Sequence, residues 1–377
     1  MRKSEYKFIV LSFCIWRIGT LVFAFLGTQL LPLFSNNFLG GGLKNYVSNP
    51  LFWGNLNFDG EHYLALAQNG YKPLTYFYFP VYPLLIKTLT FVKTQEVLAW
   101  SGLVIANVSF LVVLIGIYKL VKLDFKDNTA RWTIILLLIF PTSFYFGAYY
   151  TESLFAALVV WALYLVRKGN FFGAAILAAL ASATRVIGIV LLPVLVMEFF
   201  LQKRRDFKGF LSIFISPLGL LGYMFYLLRQ TGDALNFLST VYIFGTQRST
   251  SLILLPQVFY RYFFKILPVI NYANFFSVFT TYLEVGSGLV FLLLVIYAFF
   301  KLRWSYSLYA IFAYLIPTLS GSFSSMPRYV LVVLPCFLAL AIVLQKQKSV
   351  YRYMLFFGMI ILLGIATAMF FRGYWIS

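Results

Sequence analysis

FIVLSFCIWRIGTLVFAFLGTQLLPLF, residues 8–34, is an apolar run interrupted by a single charge, Arg17. A helix needs roughly 20 apolar residues to cross a hydrocarbon core, so this run is long enough to span. It is too long for the apolar stretch of a signal peptide, and no small-residue cleavage site stands out, so it reads as a retained first helix. The rest of the chain is of the same kind. Hydrophobic residues make up 62% and charged residues 11%, with a mean hydropathy of +0.86, where a soluble domain carries about 25% charged residues. Such a chain could not hide its surface from water, so the bilayer is its solvent. The net charge of +19 sits in short clusters between apolar runs, which argues against nucleic acid as a partner. Aromatic residues at 20% fit the Trp and Tyr belts of membrane interfaces. Cys14 and Cys336 each lie inside an apolar run, so neither a disulfide framework nor a thiolate metal site is expected.

The fold class this predicts is an all-α polytopic membrane protein, with one transmembrane domain over 1–377. The candidate spans are 8–33, 97–118, 131–149, 152–167, 171–183, 186–201, 209–228, 276–300, 305–321, 328–344 and 350–371, a bundle of about eleven helices. With the N-terminus cytoplasmic, the short connections 1–7, 119–130, 168–170, 202–208, 301–304 and 345–349 gather half of the Lys and Arg residues inside, and the two long loops on the other side carry a sparser, mixed set of charges. Reading 171–201 as one span would put QKRRDFK, 202–208, on the wrong side, so a break is expected at Arg185. Two long loops, 34–96 and 229–275, then lie outside. Segment 76–92 is apolar but carries Pro80 and Pro83, and reads as an interfacial helix. GGG at 40–42 follows no strand and reads as a flexible turn that opens no helix.

Ionisable residues near membrane depth are costly and mark function. FDGEHYLALAQNGY, 58–71, holds the densest outer cluster. Asp59 suits a helix N-cap, with Glu61 and His62 in the first turn and Leu64, Ala67 and Tyr71 on a membrane-facing stripe. AYYTES, 148–153, places Tyr150 and Glu152 in a tight outer turn. ATRVIG, 183–188, places Arg185 at the helix break. SSMPRY, 324–329, puts Arg328 at a helix start, where its charge opposes the helix dipole. A carboxylate can act as general base, and a guanidinium is a planar bidentate partner for phosphate. The set fits a reaction on a lipid-linked phosphate better than an ion pathway, for which only Glu198 and Glu284 lie near mid-helix. A lipid or solute transporter is the alternative, with its charged helix breaks, although no inverted repeat is visible. A divalent ion is not favoured, because Asp59, Glu61 and His62 crowd one turn and would need Glu152 to complete a chelate.

At these motifs the chain resembles the PIG-V type mannosyltransferases and their prokaryotic relatives, within the GT-C glycosyltransferase superfamily. The matching stretches are FDGEHYLALAQNGY (58–71), YFPVYPLL (78–85), FPTSFYFGAYYTESLF (140–155), ATRVIG (183–188), TGDALNFL (231–238) and SSMPRYVLVVLP (324–335), in order over about 280 residues. The chain departs from the pattern at Phe58, Tyr149 and Val186, which are packing or turn positions. The resemblance implies an active site on the outer face and inverting transfer of a sugar, typically mannose, from a polyprenyl-phosphate donor. The acceptor would be a hydroxyl on a glycan, a lipid or a protein. Asp59 occupies the position of the family's catalytic carboxylate in the first outer loop. Glu61, His62, Tyr150, Glu152, Arg185, Arg248 and Arg328 form the expected substrate-binding set. No cofactor is required by this reading. The expected location is a prokaryotic cytoplasmic membrane.

Overall fold

The structure is a computed structural model and describes residues 1–73, 75–204, 206–239 and 251–376. All regular structure among these residues is helical. The first apolar run forms α1, Lys3–Leu30, about 42 Å long. The first loop then carries four short helices: α2 (Gly42–Ser48), α3 (Pro50–Trp53), α4 (Asp59–Asn69) and α5 (Val81–Leu89). Asn49 caps α3 by accepting the Phe52 N–H, with Pro50 in the first turn. The bundle follows with α6 (Gln95–Val121), α7 (Asp127–Ile139), α8 (Glu152–Arg167), α9 (Phe171–Ser182), α10 (Leu191–Leu201), α11 (Phe207–Ser212) and α12 (Leu218–Thr231). It closes with α13 (Asn236–Ser239), α14 (Leu255–Arg261), α15 (Phe275–Lys301), α16 (Trp304–Thr318), α17 (Met326–Tyr329), α18 (Leu334–Gln345) and α19 (Ser349–Phe371).

Each of the eleven expected spans falls on helical structure, but their lengths differ. Among the described residues, α1, α6, the α11–α12 stretch, α15 and α19 are long and apolar enough to cross alone. The α17–α18 pair makes a sixth if its 86° bend is counted within one span. α7, α8, α9 and α10 are shorter; α9 and α10 still expose Phe172, Ile176, Leu180 and Phe200, whereas α8 is enclosed by other helices. The buried α8 presents almost no surface to lipid, so no lipid-matching length is imposed on it. α1 and α19 instead carry the exposed Leu, Ile and Phe residues that lipid would cover. They pack in parallel through small residues: a Cβ at Gly27 would lie 2.7 Å from the Ala368 backbone, and one at Gly364 would lie 3.1 Å from the Phe23 ring. A parallel first and last span is the relation that an odd number of crossings requires.

The connections expected to be cytoplasmic meet at one end of the bundle. Asp124 pairs with Arg167 (2.6 Å), and buried Glu198 pairs with Arg303 (2.8 Å) and lies 3.6 Å from Arg167. Arg131 stacks over Phe8, and Asn128 and Thr129 meet Gln345. Glu198 is therefore one anchor of a clasp at the basic end and does not sit on a path through the middle. The break at Arg185 is present: α9 stops at Ser182, Arg185 is extended, and a 3-10 turn over Val186–Val190 leads into α10.

Two expectations about the first loop are corrected. Leu64 and Ala67 do not face a membrane; they are buried, and Tyr71 packs with them against α5 and α6, while Ala65, Gln68 and Asn69 are exposed. The GGG turn also has more structure than a flexible link. Gly41 has φ +69°, a Cβ at Gly40 would come 2.0 Å from the Trp53 carbonyl, and Gly42 is the first residue of α2.

Candidate active site

Asp59 is positioned by the residue before it. Phe58, not Asp59, is the N-cap of α4, with φ +59°, a strained conformation for a non-glycine residue. Its N–H donates to the Phe38 carbonyl at 2.8 Å, and its ring packs on Phe370 and Trp375. Those contacts hold the unusual backbone and start the helix one residue earlier than capping by Asp59 would. The Asp59 carboxylate is therefore released from helix capping and turns towards the bundle.

There it meets Arg328. Ser325 at φ +67° and Pro327 set up α17, and the Thr142 hydroxyl donates to the Pro327 carbonyl at 2.6 Å. Arg328 Nη1 donates to Asp59 Oδ2 at 2.7 Å. Arg328 Nε lies 3.1 Å from Glu152 Oε1 but has no hydrogen-bond partner, so this contact is ionic. Glu152 opens α8, where the helix dipole favours a carboxylate. Its Oε1 also accepts from Arg185 Nη1 at 2.7 Å. The Tyr78 hydroxyl donates to Asp59 Oδ1 at 3.2 Å. The side chains form one alternating row, Arg185–Glu152–Arg328–Asp59, with two charges of each sign. Arg185 and Asp59 at its ends are 17% and 18% exposed, while Glu152 and Arg328 are 1% and 7% exposed.

Aromatic rings wall the row. Tyr145, Tyr150, Tyr329 and Trp375 lie 5.4–6.0 Å from the Arg328 guanidinium. Phe155 and Tyr329 flank Arg185. Burial pushes the Asp59 carboxyl up, but the Arg328 charge and hydrogen bond, with His62 and Tyr78, outweigh it and hold Asp59 below the usual carboxylate value. Burial holds the His62 imidazole below its usual value, with the Asp59 charge opposing. Burial raises Glu61, partly offset by the Gly42 N–H.

Of the residues expected from sequence, Asp59, Glu152, Arg185 and Arg328 come together. Tyr150 joins by its ring, while its hydroxyl donates to the Asn57 carbonyl at 2.7 Å. His62 stands at the edge with its ring stacked on Tyr78, 5.1 Å between centroids. Glu61 turns away and accepts from the Gly42 N–H at 3.3 Å. Arg248 lies outside the described residues. No three His, Cys, Asp or Glu side chains converge as a metal site among the described residues. Sequence reasoning missed Tyr78 and Trp375; the first lay inside a quoted motif without a role, and the second had no signal. A cavity of about 870 Å³ opens between α1, α15 and α19, lined by Leu26, Leu30, Phe275, Ile361, Ile365 and Tyr374 among others. The interfacial segment 76–92 does not line it, and among the described residues the second long loop contributes Asn271, Ala273, Asn274 and Phe275. Tyr374 precedes Trp375, which touches Arg328.

A family model described as Mannosyltransferase (PIG-V) matches residues 28–228, a stretch that includes Asp59, Glu152 and Arg185 and stops short of Arg328. Over 159 residues the chain is 27% identical to GPI alpha-1,6-mannosyltransferase 2 of Mus musculus, covering 40% of this chain and 32% of that protein. The same enzyme of Cricetulus griseus is 27% identical over 150 residues, covering 37% and 30%. The match spans about a third of the length of these curated relatives. Among solved structures, ArnT from Cupriavidus metallidurans bound to undecaprenyl phosphate superposes with a TM-score of 0.53 at 16% identity, over 96% of this chain and 63% of that one. The Archaeoglobus fulgidus oligosaccharyltransferase tethered with an acceptor peptide gives 0.51 at 16% identity, over 97% and 55%. Likeness at that identity establishes a shared GT-C fold.

Proposed function

Because the chain belongs to the Mannosyltransferase (PIG-V) family, we propose that it transfers a sugar, mannose by this reading, from a polyprenyl-phosphate donor to an acceptor hydroxyl on a glycan, lipid or protein. Asp59 takes the proton from that hydroxyl as its oxygen attacks the anomeric carbon. The bond from that carbon to the phosphate oxygen breaks on the opposite face, so configuration inverts through an oxocarbenium-like transition state. Arg185 and Arg328 neutralise the departing phosphate in a partly dehydrated site, where fixed charges act most strongly. Glu152 holds both guanidiniums in place. The observation that carries this reading is the hydrogen bond between Asp59 and Arg328, which puts a base and a phosphate-type partner within one contact of each other. The curated relatives carry mannosyltransferase names, and ArnT holds undecaprenyl phosphate, which supports a lipid-linked donor. The family match removes the ground for the transporter alternative.

The basic end faces the cytoplasm and the site opens outwards, with the chain in a prokaryotic cytoplasmic membrane. α8 runs from Glu152 at the site to Arg167 in the basic clasp, about 24 Å over its 16 residues. That is less than the roughly 30 Å of a hydrocarbon core, so the reacting centre lies in a recess below the outer surface. The apolar cavity beside Tyr374 gives a lipid chain a route to it.

The test is Asp59→Asn in proteoliposomes with undecaprenyl-phosphate mannose, following release of undecaprenyl phosphate and mannose transfer to membrane acceptors. Loss of a general base lowers turnover roughly 10²–10⁴-fold, while the thermal transition persists because Arg328 keeps Glu152. Transfer at the wild-type rate by the variant would overturn the assignment.

A further inference from the structure

The two oxygens of Asp59 have different partners. Oδ2 accepts from a guanidinium and Oδ1 from a phenol, at 2.7 Å and 3.2 Å. Only one of these partners has a second duty in the reaction described above, because Arg328 must serve the departing phosphate. When it does, its bond to Asp59 weakens, and Tyr78 becomes the contact that still fixes the carboxylate.

Tyr78 is built for that. It is 2% exposed, its ring stacks on His62, and it meets Tyr63 edge-on at 5.0 Å. Segment 76–79 forms no helix of its own, yet its carbonyls are tied from two sides. The Tyr78 carbonyl accepts from the Tyr71 hydroxyl (2.7 Å) and the Tyr223 hydroxyl (3.3 Å), and the Tyr76 carbonyl accepts from Tyr223 at 2.6 Å. Two hydroxyls, Tyr71 just after α4 and Tyr223 on α12 with its one proton shared between the two carbonyls, thus hold an irregular segment still, and the polar group this segment delivers to the charged row is the Tyr78 hydroxyl. A neutral donor orients a carboxylate without cancelling its charge, whereas a guanidinium adds a full positive charge that holds the carboxylate's basicity down further.

We propose that Tyr78 is the positioning residue for Asp59: it holds Oδ1 so that Oδ2, released by Arg328 when the donor phosphate binds, accepts the proton of the acceptor hydroxyl. This rests on the transferase reading above.

Tyr78→Phe keeps the ring, its stack on His62 and both carbonyl ties, and removes only the hydroxyl. The expected result with undecaprenyl-phosphate mannose is a fall in kcat of about tenfold with an unchanged KM for the donor. The acid limb of kcat/KM should move to higher pH, because Asp59 loses a donor that favours its charged form. Infrared titration of the Asp59 carboxylate in the resting protein should show the same upward move without any turnover. A purely structural tyrosine would lower the yield or the melting temperature and leave the limb and the carboxylate titration where they were. Tyr223→Phe, which loosens the segment but leaves the hydroxyl, should give a smaller fall in kcat. Wild-type kcat, limb and titration in Tyr78→Phe would refute the positioning role while leaving the transferase reading standing. A wild-type protein that never consumes the donor would sink both.

Discussion

Glu152→Gln tests the charged row most directly. Glu152 is 1% exposed and lies 2.7 Å from an Arg185 nitrogen and 3.1 Å from an Arg328 nitrogen. In the native row two carboxylates balance two guanidiniums. Glutamine keeps the shape but leaves a net charge of +1, with Asp59 as the remaining carboxylate of the row. Removing one partner of a buried ion pair costs about 3–5 kcal/mol, because the other charge stays buried and uncompensated. There is a second cost. Glu152 Oε2 has no hydrogen-bond partner, so a glutamine keeping its oxygen on Arg185 places its NH₂ there, and an unsatisfied buried donor costs ~1–3 kcal/mol. Against a total stability of roughly 5–15 kcal/mol, the variant should unfold at a visibly lower denaturant concentration or temperature in detergent. Arg185→Gln should cost less, because Arg185 is 17% exposed and Arg328 keeps both carboxylates. The double variant restores neutrality, so its loss should be smaller than the sum of the single losses by about 1–3 kcal/mol, the range of coupling between contacting residues. Additive losses, or a Glu152→Gln protein as stable as wild type, would show that the row is not electrostatically coupled.

Acid should weaken the fold in two steps. Burial depresses His62 below its unfolded value of about 6.5, so its contribution is complete above that pH and is lost as pH falls towards the depressed folded value. Asp59 is held below its unfolded value of about 3.9, so its contribution is complete above that and is lost further into acid. Thermal unfolding from pH 8 to 3 should show both declines, and His62→Gln should remove the first and make the second smaller, because His62 helps to hold the Asp59 carboxyl down; a profile that His62→Gln leaves unchanged would refute the assignment. At the basic end, Glu198 is fully buried and takes three hydrogen bonds from Arg303 and one from Gln202. Glu198→Gln should cost about 3–5 kcal/mol while leaving the turnover per folded molecule unchanged, since α8 separates the two networks by its full length. Altered turnover with intact stability would contradict that.

What the sequence revealed follows from what the membrane makes costly. Long apolar runs have no stable place in water, so α1, α6, α15 and α19 could be read directly. Lys and Arg are expensive to move across a bilayer, so their loops could be assigned to one end, and the contacts of Asp124, Arg167, Glu198 and Arg303 gather there. A buried charge is equally costly, and that flagged Asp59, Glu152, Arg185 and Arg328 before any distance was known. Arg328 drew notice because a cation at a helix start opposes the dipole, and its carboxylate partner lies 269 residues away. The cap was misread for a local reason. Asp followed by Gly and Glu resembles an ordinary N-terminus, and nothing in the local pattern says that Arg328 draws the carboxylate away and leaves Phe58 to cap at positive φ. Tyr78 and Trp375 were invisible for the opposite reason. A neutral hydroxyl or indole is cheap to bury when it finds a partner, and the chain holds 27 tyrosines and 7 tryptophans, so neither stands out from the interfacial belt. In a membrane protein the charged half of a buried site is therefore legible from cost alone, and the neutral half that orients it emerges only in the folded structure.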